Sequence, residues 1–213
     1  MEREVDYLNQ GLHALDLDLD KKILVRLLQF LDELERWNRR INLTAIRDRR
    51  EALEKHLIDS LCLLRWIEKG PLLDIGSGAG LPAIPLALAK PQMRIVSIDS
   101  VAKKISFQKH VRRHFTLEKF EPVSCRIEDY DGGKVFPVVT ARAFASVEKI
   151  IELVAPFLAP DGRLLLMRGP SEDPVQLANS LVLTGAGLTI ANVHEYHLPY
   201  SGATRQILEI SAA

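Results

Sequence analysis

Apolar positions along this chain change their period near residue 70. Before that point they recur every three or four residues. Ile23, Leu27, Leu31, Leu34 and Trp37 form one stripe after the acidic stretch 16–20, and Leu53, Leu57, Leu61 and Leu64 form another. The whole of 1–70 therefore reads as helical, with a second helix from about residue 51 to 69 and Gly70-Pro71 as its stop. Beyond Pro71, short apolar runs alternate with helical patterns. The runs predict strands at 72–75, 94–98, 122–125, 135–140, 163–167, 188–194 and 205–210, with helices at 82–89, 102–115, 147–158 and 174–184. Right-handed crossovers then give an α/β, Rossmann-like, doubly wound sheet of seven mostly parallel strands. The loop 199–204 is short enough for the last two strands to pair antiparallel. The expected organisation is a helical extension over 1–70 and a sheet domain over 71–213, built as one compact unit.

The first predicted strand, Leu72-Leu73-Asp74-Ile75, runs into Gly76, Gly78 and Gly80. Glycine permits positive φ and lets a ligand lie against the main chain. In doubly wound folds that first turn receives an adenosine-containing cofactor. The dinucleotide fingerprint needs a further glycine where this chain has Leu81, and Pro82 removes an amide that a phosphate would use. The turn thus suits an apolar or zwitterionic ligand such as S-adenosylmethionine better than a pyrophosphate. The second strand ends at Asp99, placed either to accept from ribose hydroxyls or to cap the following helix.

Composition narrows this little. The 213 residues are 47% hydrophobic and 26% charged with a formal net charge of zero, so any nucleic-acid surface must be local. No segment has the length and apolarity of a membrane span, and the start of the chain has no signal-peptide pattern, so a soluble cytoplasmic protein is expected. Cys62 and Cys125 sit in apolar or strand-like segments and read as buried, reduced thiols. No metal-ligand spacing is present.

Charge is concentrated in two places. Arg36, Arg39, Arg40, Arg47, Arg49, Arg50 and Lys55 crowd one window, and Lys103, Lys104, Lys109, His110, Arg112, Arg113 and His114 occupy the helix after Asp99. Each run suits a solvated face. Two such runs flanking the glycine turn also suit a phosphate-binding rim, with Lys103 and Lys104 at its inner end.

The segments NRRINLTAIRD, KHLIDSL, LLDIGSGAGLPAIPLA, IDS-x-x-KK, CRIED and ARAFAS occur here in order. Together they resemble the bacterial ribosomal RNA small-subunit methyltransferase G family, over about residues 37 to 169. The resemblance implies a class I S-adenosylmethionine-dependent methyltransferase acting on guanine N7 in the decoding-region loop of 16S ribosomal RNA. Its partner would be that RNA or the small ribosomal subunit, and the chain is expected to work as a monomer. It also implies cofactor contacts at Gly76, Leu81, Ile127, Glu128 and Arg142, with Gly78 and Asp99 completing the site. The chain departs from the family pattern at Ala83, usually glycine, and at Arg168, usually lysine.

Guanine N7 carries a lone pair and no proton, and a sulfonium methyl is already electrophilic. Positioning then does most of the work. Accordingly no residue is assigned as a catalytic acid or base, and Arg142 is the positioning candidate. His56 and Asp59, three apart on the second helix, read as a structural hydrogen-bonding pair. Two other readings stay open: a methyltransferase of small molecules or proteins on the same fold, and a non-catalytic RNA-binding assembly protein.

Overall fold

The computed structural model describes residues 1–133, 135–142, 146–169 and 185–213. The expected helix at 174–184 lies outside them. The seven strands are β1 (Leu72–Ile75), β2 (Ile95–Asp99), β3 (Phe120–Ser124), β4 (Phe136–Arg142), β5 (Leu158–Arg168), β6 (Leu188–His197) and β7 (Thr204–Ala212). They lie in the order β3-β2-β1-β4-β5-β7-β6, with β7 antiparallel to both neighbours and β3 to β5 parallel throughout.

The helices are α1 (Glu2–His13), α2 (Lys21–Ile41), α3 (Arg49–Ala52), α4 (Asp59–Leu61), α5 (Ala83–Ala89), α6 (Ala102–His114) and α7 (Val147–Val154). Strand alternation feeds two cores. Leu72, Ile95, Val138 and Leu165 join the helices of 1–70, α5 and α6 in one cluster, whereas Leu73, Val96, Val139 and Leu164 join α7 in the other. The amino-terminal helices therefore share a continuous core with the sheet.

Several boundaries differ from the sequence expectation. The helix expected over 51–69 is interrupted: α3 passes into a six-residue π-helix, Leu53–Ile58, then α4, then a 3₁₀ turn, Cys62–Arg65. It stops early because the carbonyls of Trp66 and Ile67 are taken by the side chains of Arg163 and Lys90 rather than by a further turn. The helix at 147–158 ends at Val154 because Pro156 cannot continue it. Strand β5 begins five residues before the expected Arg163: Leu158 pairs with Phe136 and Arg163 with Val138, and the intervening Pro160-Asp161-Gly162 forms a bulge that hides the pairing in the sequence. Cys62 is buried as expected, but Cys125, just past β3, is only half-buried; both thiols are free.

Candidate cofactor cleft and active site

After β1 the chain turns through Gly76, Gly78 and Gly80, all at positive φ (65°, 57° and 81°). A buried polar chain fixes the turn. Ser97 Oγ donates to Gln108 Oε1 at 2.8 Å, Gln108 Nε2 donates to Ser77 Oγ at 2.8 Å and to the Gly78 carbonyl at 2.9 Å, and Ser77 Oγ donates to the Ile98 carbonyl at 3.2 Å. Gln108 is fully buried on α6, so its amide is committed to the turn.

Asp99, at the tip of β2, accepts from the Gly78 amide through Oδ2 and from the Val101 amide through Oδ1, both at 2.8 Å. The Asp99 side chain thus ties the glycine turn to the residue before α6 without capping the helix itself, and each of its oxygens has a second lone pair. Lys104 Nζ stands 3.8 Å from Oδ2.

These groups line a cleft of about 360 Å³ at the carboxyl ends of β1, β2 and β3, walled by Ile75, Gly76, Asp99, Val101, Lys104 and Ile127 among others. That is the crevice where ligands bind in open α/β sheets. A larger hollow of about 580 Å³, by Gly70, Arg94 and Lys119, lies at the opposite ends of the same strands, away from the glycine turn.

Of the residues expected from sequence, Gly76, Asp99 and Ile127 line the cleft, and Gly78 is tied to Asp99. Glu128 follows Ile127 and is exposed, whereas Leu81 is packed into the core. Arg142 lies one strand further along the sheet, at the end of β4. There its Nη2 donates to the Lys55 carbonyl at 2.8 Å and to Asp59 Oδ2 at 3.0 Å.

The expected His56–Asp59 pair does not form. His56 Nε2 meets Thr44 Oγ1 at 2.9 Å, while Asp59 turns to Tyr196, Arg142 and Arg205. The π-helix is the reason, since its wider turn moves residues three apart off a common face. Burial, with the nearby Arg142 charge, pushes His56 down to about 4, so the ring is neutral at physiological pH, and its Nδ1 has no hydrogen-bond partner among the described residues.

Asp74 is the residue that sequence reasoning passed over as part of an apolar run. It is fully buried on β1, with Thr140 Oγ1 donating to Oδ1 at 3.0 Å and Oδ2 making no short hydrogen bond among the described residues. Burial pushes its carboxyl up to about 7, against the Thr140 and Ala83 donors. A carboxylate two residues before a glycine turn is the available signal.

The basic windows divide once folded. Arg49 is held by Glu4, Asp32 and Glu35, Lys55 by Glu51 and Arg36 by Glu33, so these are structural charges. Helix α6 contains no acid, and Lys103, Lys109, Arg112 and Arg113 are exposed on it with no ion pair among the described residues. Beside it, Arg36, Trp37, Arg40, Ile41 and His110 line a groove of about 400 Å³, with the Trp37 and His110 rings 5.0 Å apart.

The donor set fits S-adenosylmethionine: Asp99 retains lone pairs for a ribose, no described residue comes within 4 Å of where a Cβ on Gly78 would stand, and Asp74 Oδ2 is a buried acceptor with no short hydrogen bond among the described residues. The fold is shared with solved methyltransferases. Magnesium protoporphyrin IX methyltransferase from Synechocystis aligns with a TM-score of 0.62 at 18% identity, over 92% of this chain and 99% of that one. A methyltransferase from Aquifex aeolicus aligns at 0.59 and 15% identity, over 76% and 93%. The chain has the class I fold of S-adenosylmethionine-dependent methyltransferases. The family model for rRNA small subunit methyltransferase G matches residues 23–201. Proteins of that name from Syntrophotalea carbinolica and Geobacter sulfurreducens are 45% and 38% identical, the first over 94% and the second over 95% of both chains. The chain belongs to the rRNA small subunit methyltransferase G family.

Proposed function

We propose that this chain, as a monomer, methylates N7 of a guanine in the decoding-region loop of 16S ribosomal RNA, on the RNA or the small subunit. The carrying observation is the end-to-end kinship with rRNA small subunit methyltransferase G proteins, 45% identical over 207 residues. The site is consistent with that reading. Asp99 would hold the ribose, Ile127 would cover the adenine, the glycine turn would lie along the ligand, and Asp74 would receive its ammonium. Bound, S-adenosylmethionine supplies a methyl on a sulfonium, electrophilic as it stands.

Guanine N7 needs no deprotonation, so the task left to the protein is placement. Arg142, at the tip of β4, has only Nη2 engaged by the described residues, and its other nitrogens would orient the cofactor or the incoming guanine. The unpaired cations of α6 and the groove around Trp37 and His110 would carry phosphates and bases of the RNA. Mass mapping of methylated guanines in 16S RNA from cells with and without this chain tests the reading. One N7-methylguanine that appears only with the protein is the expected result, and identical maps would overturn it.

A further inference from the structure

Asp59 is 2% exposed and sits at the start of α4, just after the π-helix. Its two oxygens collect groups from three distant segments. Oδ1 accepts from the Tyr196 hydroxyl at 2.8 Å and lies 3.5 Å from Arg205 Nε; Oδ2 meets Arg142 Nη2 at 3.0 Å. Tyr196 is itself held by the buried Cys62, whose Sγ donates to its oxygen at 3.0 Å.

The charge of Asp59 is already balanced by Arg205, and Oδ1 is already hydrogen-bonded by Tyr196. The contact on Oδ2 is therefore not needed to keep a buried carboxylate from standing unpaired. What it adds is a fixed position for the Arg142 guanidinium.

The π-helix supplies the second anchor. The Asp59 amide reaches back five residues to the Glu54 carbonyl. In an α-helix the same amide would have closed on Lys55. The Lys55 carbonyl is thereby left to accept from Arg142 Nη2 at 2.8 Å. One nitrogen held by a carboxylate and a carbonyl, 83 and 87 residues away in sequence, cannot rotate without losing both bonds. The fork is pinned at one end, with Nε and Nη1 unengaged by described residues.

We propose that Asp59, together with the Lys55 carbonyl, is a positioning residue for methyl transfer that acts through Arg142. The helical segment before the sheet is then part of the active site rather than an appendage. The proposal rests on the reading that Arg142 contacts the cofactor or the target guanine.

A double-mutant cycle on methylation of small ribosomal subunits tests it, with the folded fraction of each variant fixed by melting. Asp59→Asn and Arg142→Gln should each lower kcat at least about tenfold, and the double variant should be no slower than Arg142→Gln within about threefold. Asp59→Glu keeps the charge and should recover more of the rate than Asp59→Asn; if the Asn variant does not fold, Asp59→Glu takes its place in the cycle. A merely structural Asp59 would give losses that multiply, or melting changes at unaltered kcat, and either result overturns the proposal. A fully active Arg142→Gln overturns the underlying reading and the proposal with it. A slow Arg142→Gln beside normally active Asp59 variants overturns the proposal alone.

Discussion

Asp99 Oδ2 accepts the Gly78 amide at 2.8 Å, joining the tip of β2 to the glycine turn 21 residues earlier in the chain. With Oδ1 on the Val101 amide, the carboxylate is a structural fastener before any ligand arrives, and it lines the cleft.

Asp99→Asn separates the two roles. The amide keeps one acceptor but sets an NH₂ against one of two backbone N–H groups. Losing a charged hydrogen bond costs roughly 1.5–3 kcal/mol, so melting should fall. If ribose is held as proposed, S-adenosylmethionine affinity should fall about tenfold to a hundredfold as well. Calorimetric titration beside thermal melting checks both. A lowered melting temperature with an unaltered dissociation constant would leave Asp99 a fastener only.

The acid-free helix α6 predicts steep salt dependence of RNA binding. Each neutralised phosphate adds roughly 0.7–0.9 to the log–log slope. Replacing exposed Lys109, Arg112 and Arg113 with glutamate should flatten the slope by about two to three while cofactor affinity stays unchanged, since none of the three lines the cofactor cleft. Arg49→Glu should behave differently. Its partners are Glu4, Asp32 and Glu35, so the loss should appear in melting rather than in the slope. A slope near zero in the parent protein would argue against an RNA substrate.

Legibility in the sequence followed the range of the interactions. The strand, glycine turn and Asp99 were readable because apolar periodicity and glycine spacing are local signals, and β1, β2 and the cleft formed where they pointed. The mostly parallel pairing was readable from strand–helix alternation and the antiparallel β6–β7 pair from loop length. The basic windows were visible, but not which charges were free, because Arg49 is neutralised by Glu4 from 45 residues away. The π-helix carries no composition signal of its own. Without it, the redirection of Asp59 from His56 to Arg142 and Tyr196 could not be read.

Two buried groups predict opposing pH effects on stability. Asp74 is held at about 7 against an ordinary value near 3.8, so the folded chain binds more protons than the unfolded one between those values. Its contribution then falls as pH rises through that window. His56 is held at about 4 against 6.5, so the unfolded chain binds more protons between them, and its contribution rises over about pH 4 to 6.5. The slopes, each up to about 1.4 kcal/mol per pH unit, oppose one another in the parent. They separate by difference. Relative to the parent, Asp74→Asn should gain stability as pH climbs from about 4 to 7, and His56→Gln should lose it as pH climbs from about 4 to 6.5. Melting curves across that range decide, and parallel pH profiles for parent and variant would contradict the burial argument for that residue.

The last two glycines of the turn should fail in different ways. Gly80 has φ of +81°, and a Cβ there would stand 2.3 Å from Ile84 Cδ1 and 2.7 Å from its Cγ1. Gly80→Ala therefore combines left-handed strain of about 1–2 kcal/mol with overpacking of about 1–3 kcal/mol against the start of α5. At about 2–4 °C per kcal/mol for a chain of this size, melting should drop by roughly 4–20 °C. Gly78 has φ of +57°, with no described atom within 4 Å of where its Cβ would stand. Gly78→Ala should carry the backbone strain alone, a drop of roughly 2–8 °C. The methyl would, however, occupy space beside the amide that Asp99 holds, so cofactor affinity should fall at least about tenfold. Gly80→Ala, measured below its melting range, should bind within about threefold of the parent. Equal losses of affinity in the two variants would show that the space at Gly78 is not where the ligand lies.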